Sequence, residues 1–255
     1  MNIVNQLGKK LLKSILLAIS SLLALGLIVF VLWANTPMMA QPEVLDALRS
    51  DPKVIVEVEP KWVVFSPATG ITETGLVFYP GGRVDYRAYA LPLRQIAANG
   101  YFVVLVRMPL NLAFFAPGRA AEVMAAFPEV RRWAVGGHSL GGAMAALFAY
   151  QHSERVHGLV LWAAYPAQAN DLSSSSLEVV SIYATHDGLA TLEKIQASRA
   201  LLPAETRWVA IEGGNHAQFG HYGAQPRDGK ATISVQQQQA QVVEATVSLL
   251  KTIGE

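Results

Sequence analysis

The sequence predicts an α/β fold, with a mostly parallel central sheet flanked by helices and a single transmembrane helix ahead of it. Three observations carry that expectation. Short β-branched and aromatic runs alternate with alanine- and leucine-rich helical stretches through most of the chain, the pattern of strands joined by helical crossovers. The runs Phe102-Val103-Val104-Leu105-Val106 and Leu159-Val160-Leu161-Trp162 are apolar at every position, as strands covered on both faces are. Residues 14–34, by contrast, form one uncharged run dominated by Leu, Ile, Val and Ala.

As a helix, residues 14–34 would span about 31 Å, against a hydrocarbon core of about 30 Å. Lys9, Lys10 and Lys13 precede the run and Trp33 stands at its far end. The positive-inside rule then places residues 1–13 in the cytoplasm as a basic segment and the rest of the chain outside it, as a single-pass protein of the cell membrane. The competing reading is a cleaved signal peptide, whose apolar region is usually shorter, roughly 7 to 15 residues. Met38-Met39-Ala40 makes a poor small-x-small cleavage site, although Ala40 keeps that option open. Residues 35–50, with Pro37 and Pro42 and a short amphipathic turn of helix over 43–49, are expected as a linker before a catalytic domain at 51–255.

A chain of 255 residues, less the apolar segment, suits one α/β domain. The net charge of +1, with acids and bases nearly balanced, points to no nucleic-acid partner and no strongly charged substrate. Cysteine is absent, which removes disulfides, thiolate metal sites and a cysteine nucleophile together.

In chain order, strands are expected at 54–58, 62–65 and 75–79, separated by the turn-rich segment 66–70, with an antiparallel entry into the sheet. Helix 85–98, capped by Asp85 and ended before Gly100, leads to strand 101–107. Helix 118–127, strand 131–135, helix 140–151 and strand 158–162 continue the alternation. A short polar stretch then leads to strand 179–183, helix 189–201, strand 207–211 and a last helix from Ser234 to about Thr252. Gln237, Gln238 and Gln239 on that helix read as a solvated face.

Gly137-His138-Ser139-Leu140-Gly141 fits G-x-S-x-G between the strand ending at 135 and the helix starting at Leu140, the context of a nucleophile elbow. The tight turn strains the serine backbone, and side chains at Gly137 and Gly141 would collide with the neighbouring strand and helix. A serine hydroxyl needs a base, itself oriented by an acid. Asp187 and His216 follow strands 179–183 and 207–211 at their carboxyl ends, in the order Ser, Asp, His. Asp187 also reads as a helix cap, and Asp171 stands in reserve. His221 and His186 are the other histidines near that edge, and His138 is expected to line the site.

For the negative oxygen of a tetrahedral intermediate, one donor is the N–H of Leu140. The second is expected in Pro80-Gly81-Gly82-Arg83, at Gly82, with Arg83 as the alternative; losing one such donor costs about 3 kcal/mol. No metal is expected: His216 and His221 lack the four-residue spacing of two ligands on one helix face, and no carboxylate cluster accompanies them. No glycine-rich nucleotide signature occurs, so no cofactor is expected.

Together these stretches resemble the alpha/beta-hydrolase superfamily, and more narrowly the small bacterial alpha/beta hydrolase fold-five family, related to dienelactone hydrolases. The resemblance rests on Tyr79 to Gly82, Arg107 to Ala113, Gly137 to Gly142, Thr185 to Gly188, and Ile211 to Gly223 running on to Ser234. It covers nearly everything after about Lys61 and implies an alpha/beta-hydrolase fold with the triad Ser139, Asp187 and His216. Dienelactone hydrolases use a cysteine where this chain has Ser139, so their substrate does not carry over.

The connection 163–178 is too short for a helical cap domain, which leaves the site open. Leu110, Leu112, Phe114 and Phe115 follow a strand at its carboxyl end, where Leu110 and Phe114 are expected to bind an acyl group. The expected activity is a carboxylesterase acting on a small-molecule ester of small or medium acyl length. Acyl transfer or thioester cleavage on the same triad, or a tethered binding protein without turnover, are the alternatives.

Overall fold

The computed structural model describes residues 2–255 and divides into two compact units between Pro37 and Met38. The first is one helix, α1 (Asn2–Ala34). Its stretch Gln6–Ala34 is long and apolar enough to cross a membrane. Met1 and the side chains of Lys9 and Lys10, part of the expected basic segment, lie outside the described residues.

In the second unit, strands β1 (Val54–Val58), β2 (Trp62–Pro67), β3 (Thr74–Tyr79), β4 (Phe102–Val106), β5 (Arg132–His138), β6 (Gly158–Trp162), β7 (Glu178–Ala184) and β8 (Arg207–Ile211) form one sheet in the order β1-β2-β4-β3-β5-β6-β7-β8. The pairs β1/β2 and β2/β4 are antiparallel, as the expected entry requires. Every later pair is parallel. Five helices return the chain: α2 (Ala90–Ala98), α3 (Arg119–Ala126), α4 (Leu140–Gln151), α5 (Leu192–Ala197) and α6 (Val235–Gly254).

Strand β4 shows how the two faces are filled. Val103 and Leu105 pack with Leu93 of α2 and Leu249 of α6, whereas Phe102, Val104 and Val106 pack with Val123 of α3 and Phe148 of α4. Each such side chain contributes about 1.5–3 kcal/mol on full burial, and the period of two divides them between the layers. Residues 163–177 contain no helix, so no cap domain covers the sheet edge.

Several boundaries differ from the sequence reading for identifiable reasons. Strand β5 runs on through Gly136, Gly137 and His138, which pair with Val160, Leu161 and Trp162 of β6. The expected helix 85–98 begins as a 3-10 turn, Tyr86–Tyr89, with Asp85 accepting from the Arg87 N–H at 3.0 Å as its cap. The expected helix 189–201 starts only at Leu192, because the N–H groups of Leu189 and Ala190 are taken by the Asp187 carboxylate. Much of the expected linker is built into the domain. Met38 N–H donates to Arg83 O, Gln41 N–H donates to His221 O, and the 3-10 helix Pro42–Leu48 buries Val44 and Ala47.

Of the glutamine run 237–239, only Gln237 faces solvent. Ser234 and Gln237 form a capping box at the start of α6, but Gln238 and Gln239 are 0% and 2% exposed. They share the inward face of Val242, Val243, Ala245 and Thr246, one turn further along. Carried back one turn, that periodicity places both amides inside.

Candidate active site

Strand order brings the site together. Tyr79, at the end of β3, pairs with Gly137 of β5, so the turn after β3 lies beside the turn after β5. The loops after β7 and β8 open at the same carboxyl edge, where ligands bind in open parallel sheets.

Ser139 sits between β5 and α4 at φ 52° and ψ −122°, outside the regions a non-glycine residue ordinarily adopts. Such strain costs about 1–3 kcal/mol and persists only where the surroundings enforce it. Here they are steric. A Cβ on Gly137 would stand 2.6 Å from Gly141 C and from Tyr79 O, and one on Gly141 would collide with the carbonyls of Tyr79 and Pro80. Ser139 N–H donates to Trp162 O at 3.0 Å, which ties the turn to β6.

The structure brings Asp187 and His216 together. His216 Nδ1 donates to Asp187 Oδ2 at 2.7 Å, and both side chains are buried. That bond puts a proton on Nδ1 and leaves Nε2 as the ring nitrogen turned to base chemistry. His216 Nε2 is buried with no hydrogen bond among the described residues. The other Asp187 oxygen accepts from Leu189 N–H and Ala190 N–H, each at 2.7 Å, so the carboxylate is both a turn cap and the partner of His216. The rivals are occupied elsewhere. His186 Nδ1 donates to Lys230 O, His221 pairs with Gln239, and Asp171 accepts from Ser173 N–H.

Leu140 N–H and Gly82 N–H carry no hydrogen bond among the described residues. The two residues adjoin, since a Cβ on Gly82 would lie 3.0 Å from Leu140 Cδ2. Arg83 N–H is already given to Asn111 O at 2.8 Å, which favours Gly82 over Arg83 as the second donor. That same bond fastens the loop after β4 against the turn.

His138 is placed differently from the sequence expectation. It is 1% exposed and does not line the pocket beside Ser139. Its ring stacks on Phe219 and lies 4.4 Å from the His216 ring. Tyr89 Oη accepts from Gly81 N–H at 3.1 Å and lies 2.8 Å from His138 Nδ1. Burial pushes the Tyr89 phenol up, so it keeps its proton. Burial, followed by the charge of His216, holds His138 well below the usual imidazole range. The Tyr89 hydroxyl therefore bridges the Gly81 N–H and the His138 ring. Tyr89 thus links the Gly81-Gly82 turn to the residue before Ser139.

A pocket of about 210 Å³ opens at Ser139 and His216 and is walled by Leu140, Ala143, Ala163, Ala164, Tyr165, Leu189 and Ala190. Leu110 and Phe114, expected as acyl contacts, are not in this wall, and Phe114 is 48% exposed. Leu110 and Asn111 both have positive φ, so the loop after β4 turns tightly on itself. Among the described residues no group of three or more His, Asp or Glu side chains is placed to hold a metal.

Sequence reasoning missed the residues that hold the loops of Asp187 and His216. Asp228 accepts from amides of both loops, and Gln238 accepts from Asn215 N–H and donates to Asn215 O beside His216. Asp228-Gly229 reads as an ordinary turn, while Gln238 was recoverable from the face it shares with Val242.

Comparison with known proteins agrees with this architecture. No curated protein matches the chain. Among solved structures it is similar to an alpha/beta hydrolase enzyme from the metagenome of sediments of the Mar Chica lagoon in Morocco. The identity is 17% and the TM-score 0.54, over 65% of this chain and 90% of that one. It is also similar to a predicted CIB-like hydrolase from Thermoplasma acidophilum, at 15% identity and TM-score 0.55, over 78% of this chain and 99% of that one. These likenesses speak to the fold. The model of the alpha/beta hydrolase family matches residues 75–240, a stretch from β3 through the elbow and both later loops into α6. The chain belongs to the alpha/beta hydrolase family.

Proposed function

We propose that the protein is a membrane-anchored serine hydrolase, a carboxylesterase that cleaves small acyl esters through an acyl-enzyme on Ser139. The observation that carries this reading is the buried 2.7 Å bond from His216 Nδ1 to Asp187, with His216 and Ser139 in the walls of one pocket. In the first step His216 Nε2 takes the Ser139 proton as Oγ attacks the ester carbonyl carbon. The oxygen turns negative between Leu140 N–H and Gly82 N–H, and His216 returns the proton to the departing alcohol. Water then repeats the sequence on the acyl-enzyme. Catalytic hydrogen bonds often tighten only once substrate is bound.

The pocket supports a small, uncharged acyl group. Its volume is about 210 Å³, three of its wall residues nearest the elbow are Ala143, Ala163 and Ala164, and no charged side chain lines it. The membrane assignment rests on the uncharged run ending at Ala34, and the extracytoplasmic placement of the domain rests on Lys13 and its neighbours before that run.

Turnover of p-nitrophenyl acetate, butyrate and octanoate by the full chain in detergent tests the reading. Acetate and butyrate should be cleaved faster than octanoate, and Ser139→Ala should abolish all three. A wild type without turnover, or a Ser139→Ala variant that retains it, contradicts the proposal.

A further inference from the structure

We infer that Asp228 is a positioning residue that locks the acid loop and the base loop into register. The inference rests on the reading of Ser139, His216 and Asp187 as a triad. Asp228 Oδ1 accepts from His216 N–H at 3.1 Å and from Gly188 N–H at 3.2 Å. Its Oδ2 accepts from Ala217 N–H at 2.8 Å, and its own turn is closed by Gly229 N–H to Oδ1 at 2.8 Å. One carboxylate therefore gathers the backbone of the base, the residue after it, and the residue after the acid.

The adjoining contacts keep that carboxylate in place. Asn215 Nδ2 donates to Gly229 O at 2.8 Å, and His186 Nδ1 donates to Lys230 O at 2.9 Å. A Cβ on Gly188 would meet Asp228 Cα at 3.1 Å, so the two turns are in direct contact. Asp228 is absent from the walls of the pocket at Ser139 and lines a separate cavity of about 490 Å³, so its link to that pocket runs through the backbone of His216, Ala217 and Gly188. Charge-assisted bonds of this kind are about twice as strong as neutral ones. Four N–H groups converge here, and only an ionised carboxylate accepts from both of its oxygens without presenting a donor.

Asp228→Asn keeps the shape but turns an NH₂ group toward one set of these amides, and Asp228→Ala removes the clasp. Three readouts on full-length protein in detergent apply: kcat and KM, the rate of fluorophosphonate labelling of Ser139, and the far-downfield proton resonance of the His216–Asp187 bond. Both variants should lose about 100-fold in kcat and labelling rate with KM within about twofold, the size expected when catalytic groups shift by about 1 Å. The resonance should broaden or vanish while the melting transition stays cooperative. Wild-type kcat with the resonance intact overturns the inference, as does activity lost only in proportion to the unfolded fraction. The resonance reads the clasp whether or not Ser139 reacts, so a failed triad assignment and a failed clasp give different results.

Discussion

The elbow and the two loops that face it are held by different forces. Around Ser139 the constraint is steric and nearly contiguous: Gly137, Gly141, Tyr79 and Pro80 leave no room for another backbone path. Around Asp187 and His216 it is polar and assembled from afar. Asp228, Asn215, Gln238, Thr185 and Thr232 bond the loop backbones, and Gly213 N–H donates to Thr185 Oγ1 at 2.9 Å. Close packing tolerates no added atom, whereas a hydrogen-bonded network loses function by degrees.

The largest effect should therefore come from the elbow. Gly137→Ala places a carbon 2.6 Å from two backbone atoms, a clash costing about 4 kcal/mol or more. Denaturant unfolding should show most of the stability gone; a loss under about 1 kcal/mol would mean that the turn is not sterically fixed. Gln238→Leu should cost less, about 1–3 kcal/mol, because it leaves the N–H and C=O of the half-buried Asn215 without partners next to His216. The same measurement applies, and a neutral result would remove Gln238 from the network.

Tyr89→Phe tests the join between the two regions. It deletes the phenol oxygen shared by Gly81 N–H and His138 Nδ1, so it should lower kcat about tenfold with KM little changed, because only the Gly81-Gly82 turn proposed to hold the oxyanion loosens. A rise in KM at constant kcat would place Tyr89 in substrate binding instead.

The smallest effect concerns pH. His138 is held well below its ordinary value by burial, and His221 is lowered for the same reason. In the unfolded chain both bind a proton as pH falls through about 6.5, while the folded protein does not. Their contribution to stability is complete above that pH and is lost below it, at up to about 1.4 kcal/mol per pH unit for each group. Unfolding midpoints at pH 7.5 and 5.5 should separate for the wild type and draw closer in His138→Gln. Parallel losses would mean that His138 is protonated in the fold.

The same contrast explains what the sequence made legible. A steric turn must be written in adjacent residues, so the glycines around Ser139 were visible in a window of five. The strands and their order followed from apolar runs and the alternation of elements, because burial on both faces leaves few other options. Asp187 and His216 are legible as partners from their places at strand ends, and the structure joins them by a 2.7 Å hydrogen bond. Their supports are not legible, since Asp228 lies 12 residues from His216 and 40 from Gly188, and Gln238 lies 23 from Asn215. Nothing local marks a carboxylate in a turn as the partner of four amides. The wall of the pocket at Ser139 is hard to read for a related reason. Leu110 and Phe114 follow a strand at the correct edge, but the wall comes from Ala143, Ala164 and Ala190, which belong to other loops and to α4.

The central claim is that Ser139 is a nucleophile activated by His216. Fluorophosphonate labelling of the full-length protein, read by mass spectrometry of the peptide that carries the elbow, tests it most directly. The wild type should be modified at Ser139, Ser139→Ala should not be modified, and His216→Ala should react at least about 100-fold more slowly. Modification at another residue, or an undiminished rate in His216→Ala, would contradict the account.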